Sequence, residues 1–239
     1  MAQFKINQSN VSETWRLMSV QARSDILKNA FEPLSALTHD GKAAMQVFNH
    51  LLEQGKHLDD SVMLTGATGE SNELYIQARG KTLVVGCESA SPMSILAQLL
   101  AGLLTGNEVH LHAPTHQDFC QQAVDILHGV GISEDVLTIA NDSQTKVLLQ
   151  MNNLAQVAVA GTLLDVKEVA AQVSQADGVL TQVIALTDLV GLSDVFNPDY
   201  LHRFTTERVK TINTTAIGGN ASLLEMSVEQ TKVEQTKTV

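Results

Sequence analysis

Apolar side chains recur at spacings of three and four through the first quarter of the chain. Ala22, Ile26, Leu27, Ala30 and Phe31 fall on one stripe of residues 21–31, and Ala44, Val47, Phe48, Leu51 and Leu52 do the same over 40–54. That period predicts two amphipathic helices. A Gly/Ser/Thr stretch, TGATGESN, interrupts the pattern, and ELYIQAR then alternates. Leu74, Ile76 and Ala78 face one way, while Glu73, Tyr75, Gln77 and Arg79 face the other. A period of two predicts a half-buried strand, placed at a sheet edge.

From residue 82 the pattern becomes strand, helix, strand. TLVVG, EVHLH, VLTIA, AQVAVAG and TQVIAL are the short strand-like runs. Between them lie helical segments: SPMSILAQLLAGLLTG, opened by Pro92 and closed by Gly106, then 116–128, 143–151 and 163–176. Runs without alternation suit strands covered on both faces. Five of them separated by helices predict an α/β fold. It is a Rossmann-like, doubly wound parallel sheet of about five strands with right-handed crossovers, on which the N-terminal helices pack.

Beyond Leu189 the order loosens, and NPDYLHRF reads as a turn and a short helix. Six of the nine residues from Val209 to Ile217 are β-branched, and the run breaks at Gly218-Gly219-Asn220. Its polar side chains suit a core strand poorly. The family resemblance that residues 211–223 carry implies that this run pairs with the strand around Leu74 as a protruding two-stranded β-flap. The organisation expected is therefore N-terminal helices over 1–64, a Rossmann-like domain over 82–190, and a flap from 65–81 with 200–225. Residues 226–239, within a stretch that repeats VEQTK at 228–232 and 233–237, are expected to form a mobile tail.

Charge narrows the partners. Twenty-six acidic against fifteen basic residues leave a net charge of −11, so no nucleic acid partner is expected, because duplex affinity rests on Lys and Arg neutralising phosphates. Apolar runs stop short of a membrane span, so no direct membrane insertion is expected. Residues 1–20 lack a basic segment followed by an apolar one, so the expected location is cytoplasmic. Cys87 and Cys120 form neither a CxxC pair nor a disulfide framework. His110 and His112 share one side of a strand, and His116 opens the next helix. That spacing suits zinc, yet the sequence places no carboxylate or cysteine with them, and the reading taken is no metal site.

Three segments resemble the aldehyde dehydrogenase superfamily. ETWRLMSVQARSDILKNAFEPL resembles its N-terminal helical pattern of a Trp, then an Arg, then Ile-Leu. KTLVVGCESASPMSILAQLLAGLLTGNEVHLHAPT resembles its first βαβ unit, in which a strand runs into Gly-Pro-Trp-Asn-x-Pro and the next opens with Gly-Asn-x-Val. AQVAVAGT resembles the strand ending in Phe-Thr-Gly-Ser. TGATGESNEL and YLHRFTTERVKTINTTAIGGNASLL are similar to the C-terminal region of the proline utilization A family, bifunctional flavin- and NAD-dependent enzymes that oxidise proline to glutamate. That family's terminal motif, T-x-N-T-A/T-A-x-G-G-N-A-S-L, falls at 211–223.

The resemblance implies which residues to inspect. The superfamily uses a cysteine nucleophile, a glutamate base and an asparagine that stabilises the oxyanion. The cysteine and glutamate follow the Rossmann-like half, whereas this chain passes from QVIALTD to the C-terminal strand. Where the family has its glutamate, the chain reads Ile184, Ala185 and Leu186. Where it has Trp-Asn, the chain reads Glu88, Ser89, Ala90 and Ser91. No catalytic residue is assigned. Cys87 is a weak candidate, since Glu88 is a neighbour in sequence only, and Cys120 reads as core.

The implied cofactor residues are vestigial: Gly86, Ser89, His112 in place of the ribose-binding lysine, Gly161 and Thr162. The phosphate turn Gly-Ser-x-x-x-Gly becomes Gly161 to Val166. Val166 adds bulk there, and Asp165 repels phosphate if it faces the site. No cofactor is expected, with retained NAD binding as the alternative.

The function implied is a non-catalytic domain of proline catabolism. It would cover a channel for pyrroline-5-carboxylate/glutamate semialdehyde, or assemble with a catalytic subunit. The alternatives are an NAD-dependent 1-pyrroline-5-carboxylate dehydrogenase using Cys87, and a nucleotide-binding module without chemistry. Thr211, Asn213, Thr214, Thr215, Gly218, Gly219 and Asn220 would carry the contact, either to a proline utilization A-type enzyme or to a second copy.

Overall fold

A computed structural model describes residues 8–213. The N-terminal pattern forms three helices, α1 (Gln8–Leu17), α2 (Val20–Ala36) and α3 (Gly41–Gly55). Ser19 caps α2 by accepting from Ala22 N, and Asp40 caps α3 by accepting from Lys42 N and Ala43 N. The alternating segment is β2 (Glu70–Ala78), preceded by β1 (Val62–Leu64). The remaining elements are β3 (Lys81–Gly86), α4 (Pro92–Leu104), β4 (Val109–His112), α5 (Gln117–Gly129), β5 (Leu137–Ile139), α6 (Asp142–Leu149), β6 (Leu154–Ala160), α7 (Leu163–Val173), β7 (Gln182–Leu186) and β8 (Thr205–Asn213).

Five strands form a parallel sheet in the order β5-β4-β3-β6-β7. The chain starts at the centre with β3, winds outward through β4 and β5, and returns to the other side of β3 as β6. This reversal creates a switch point between β3 and β6, where Gly86 pairs with Ala160. Helix α4 is buried along nearly its whole length, from Ser94 to Leu104, as an apolar helix between a sheet and further helices must be. Leu83, Val85, Val157 and Val159 point to the opposite face, where Leu148 and Leu149 of α6 and Val166 and Val173 of α7 cover them.

The described residues fall into two compact units, 8–59 with 77–206 and 60–76 with 207–213. The smaller sheet has three strands, in the order β1-β2-β8. Two expectations are corrected here. Residues 62–64, assigned to the helical N-terminus, form a strand that pairs antiparallel with β2, Val62 opposite Leu74, so the expected two-stranded flap is a three-stranded sheet. The strand placed at an edge is instead the central one. The signal was hidden because β1 is only three residues long and exposed throughout, so it shows no alternation. Among the described residues, no helix is long and apolar enough to cross a membrane.

Candidate functional site

The site to test is the carboxyl edge of the parallel sheet at its switch point. Two connections meet there, residues 87–91 after β3 and 161–162 after β6. Cys87 N donates to Ala160 O at 2.9 Å, and Gly161 N donates to Leu186 O at 3.2 Å, which ties the ends of β3, β6 and β7 together. Gly86 is required by packing. A Cβ there would lie 2.7 Å from Ile95 Cδ1 and 2.8 Å from Ala113 Cβ, closer than carbon atoms approach. The structure thus brings Gly86, Cys87, Ser89, Gly161 and Thr162 together. His112 ends β4, one strand over.

Helix α7 begins at Thr162, whose hydroxyl accepts from Asp165 N at 3.3 Å. In return Asp165 Oδ2 accepts from Thr162 N at 2.7 Å and from Thr162 Oγ1 at 2.8 Å. This is a capping box. The same Oδ2 accepts from Ser89 Oγ, at 3.1 Å, across the switch point. The carboxylate therefore faces the turn, and these bonds hold its pKa below the usual range. The spacing Thr-x-x-Asp before an apolar helix was the sequence signal for this arrangement. Val166, expected to crowd the phosphate turn, is instead 9% exposed and packs into the core beneath the sheet.

Cys87 is half-buried and packs against that core. Burial, then the negative charges of Asp165 and Glu168, push its thiol up to about 11. Reactive cysteines have the reverse surroundings, a cation or helix N-terminus that lowers the pKa. Glu168 was not singled out from sequence, because its position near Cys87 follows only from how α7 packs. Alkylation of Cys87 by iodoacetamide is expected to be slow at neutral pH and to gain roughly tenfold per pH unit until near the thiol pKa. A rate-versus-pH profile by mass spectrometry checks this, and a midpoint below 9 would show an activated thiol. Cys120, 2% exposed, is shielded.

His110, His112 and His116 are each engaged. His112 donates through Nδ1 to Ala140 O at 3.0 Å and places Nε2 3.5 Å from Asp142 Oδ1, in a cleft of about 570 Å3 between the ends of β4 and β5 and the start of α6. His110 contacts Glu108 Oε1 at 2.9 Å and Thr138 Oγ1 at 2.7 Å. His116 donates to Ala90 O at 2.8 Å. Among the described residues no group of three or more His, Cys, Asp or Glu is arranged to hold a metal.

The residues do not fit a dinucleotide. Thr162 and Ser89 spend their donors on Asp165, and the position a lysine would need is a histidine turned toward a backbone carbonyl. Of the partner residues named from sequence, Thr211 lies in β8 and donates to Asn72 Oδ1 at 2.6 Å, and Asn213 is the last residue of β8. Thr214, Thr215, Gly218, Gly219 and Asn220, with the 226–239 tail, lie outside the described residues.

The strand order, the apolar α4 and the two glycine-ended strands together define a Rossmann-like fold, and solved aldehyde dehydrogenase structures are similar to it. More particularly, the fold is like that of a domain of proline utilization A. A variant of PutA from Bradyrhizobium japonicum superimposes with a TM-score of 0.63 at 22% identity, over 75% of this chain and 21% of that one. PutA from Bdellovibrio bacteriovorus gives 0.60 at 15% identity, over 72% and 21%. An NAD-dependent benzaldehyde dehydrogenase from Corynebacterium glutamicum gives 0.57 at 15% identity, over 74% and 43%. The chain spans about a fifth of the length of the PutA structures and less than half of the dehydrogenase. No protein-family model and no curated protein matches it.

Proposed function

We propose that this chain is a non-catalytic aldehyde dehydrogenase-like domain of proline catabolism, which acts by assembling with a proline utilization A-type enzyme and covering its substrate channel. The observation that carries the reading is internal to the chain. Between β7 and β8 lie only residues 187–204, a run of turns ending in the 3-10 helix Leu201–Phe204. No second α/β layer stands there to supply a nucleophile and base. The unactivated surroundings of Cys87 agree, and so does the likeness of fold to PutA.

The small sheet supplies the contact. Val62, Met63 and Leu64 of β1 and Val209 and Ile212 of β8 are apolar side chains exposed, without a cover, on the two outer strands of the three-stranded sheet. Added strands or an apolar surface from a partner would provide one. The full chain is expected to co-elute in gel filtration with a proline utilization A-type enzyme, and removal of residues 205–225 should abolish co-elution. Unchanged association after that deletion, in a variant whose circular dichroism is otherwise retained, refutes the reading. So would sustained NADH formation from pyrroline-5-carboxylate by the chain alone that is lost in Cys87→Ala.

A further inference from the structure

We infer that Asp165 is a built-in anion, seated where a dinucleotide phosphate would bind, and that it closes the α7 N-terminus to phosphate. A helix N-terminus attracts anions because its first N–H groups lack partners within the helix. Here the Thr162 hydroxyl accepts from Asp165 N, and one carboxylate oxygen of Asp165 sits at the mouth of the turn. It takes the N–H and the hydroxyl of Thr162 and the hydroxyl of Ser89 from the opposite loop, at 2.7, 2.8 and 3.1 Å. A pyrophosphate would have to displace all three bonds and approach a fixed negative charge. Glu168, one turn further along α7, adds a second.

The glycine at the turn has the same internal use. A Cβ on Gly161 would lie 2.9 Å from Asp165 Oδ2 and 2.9 Å from Cys87 Cβ. Gly161 is therefore needed so that the two connections can close on each other. In a nucleotide site a glycine at this turn leaves room for phosphate, and here Cys87 and Asp165 fill that room. The switch point is a packed junction, and its retained glycine is explained without a ligand.

This deepens the non-catalytic reading, and it is tested separately. Isothermal titration with inorganic pyrophosphate, then with NAD, uses the full chain and reads binding at this turn, whereas co-elution reads association. The unaltered chain should bind either one with a dissociation constant above about 1 mM. Asp165→Gly frees all three donors and should tighten pyrophosphate binding at least about tenfold. Asp165→Asn, which removes the charge and keeps the side-chain length, covers the case in which glycine frays α7. Two results overturn the inference. One is sub-millimolar pyrophosphate or NAD binding by the unaltered chain. The other is no gain in either variant while both keep the native circular dichroism.

Discussion

Replacing Arg23 by methionine is expected to lower the unfolding free energy by about 3–5 kcal/mol. Arg23 is 4% exposed. Its guanidinium joins two helix ends. Nε donates to Leu104 O of α4 at 2.8 Å, and Nη1 donates to Trp15 O of α1 at 3.2 Å and to Met18 O just beyond it. Carbonyls at a helix C-terminus lack partners within the helix and carry partial negative charge, so a forked cation answers several at once. Burial lowers the Arg23 pKa to about 10, while Asp59 acts to raise it, which leaves the group charged at neutral pH. Gly106 makes room. It has a φ of +86°, and a Cβ there would stand 2.9 Å from Arg23 Nη1.

Methionine fills much of the same volume and takes the guanidinium donor from the Leu104 and Met18 carbonyls, each costing about 1–3 kcal/mol when buried without a donor, while Trp15 O keeps its bond from Met18 N. For a chain of this size the thermal midpoint should fall by roughly 10 °C. Arg23→Lys keeps the charge without the fork and should recover part of the loss. Thermal melts of the three proteins by circular dichroism check the order, and a methionine variant within about 1 kcal/mol of the unaltered chain would contradict it.

Asn107→Ala should cost about 3 kcal/mol, because one buried amide holds four groups. Its Nδ2 donates to Gly102 O at 3.2 Å, Thr105 Oγ1 at 2.7 Å and Phe204 O at 3.0 Å, and its Oδ1 accepts from Gly80 N at 2.8 Å. The end of α4, the turn before β3 and the residue preceding β8 are thus tied at one point. Asn107→Asp gives a sharper test. A carboxylate cannot donate to the two carbonyls and is destabilised beside them, so its folded pKa lies above the unfolded value near about 4. The folded variant then binds more protons than the unfolded one. Relative to the unaltered chain, Asn107→Asp should therefore lose stability as pH rises through about 4 toward that folded pKa, and regain it in acid, when the protonated group can donate. Urea unfolding of both proteins across that range measures the difference, and a pH-independent difference would rule out the donor role.

Both residues show how much of the motif pattern could be read in advance. The Trp, Arg and Ile-Leu pattern and the Gly-Asn-x-Val opening pointed to a family. Their physical role is structural: the arginine and asparagine satisfy buried backbone groups whose partners lie 81 and 97 residues away in sequence. Asp165 occupies a middle position. Its charge was visible, but repulsion of phosphate depended on where it faces, and the capping box with Thr162 decides that. Glu168 and the three residues of β1 gave little local signal, since one acts through space and the other is too short to show a period.

The sequence by itself determined the order of helices and strands from β2 onward, the parallel α/β class and the placement of Gly86 and Gly161 at strand ends. These follow from local period and punctuation, which act over a few residues. Only the tertiary structure decided that β2 is central in a three-stranded sheet, that Val166 turns into the core, and that Cys87, Ser89, Gly161 and Asp165 close on one another at the switch point. Those outcomes depend on which chain segments become neighbours and on the donors, charges and atomic contacts they then share.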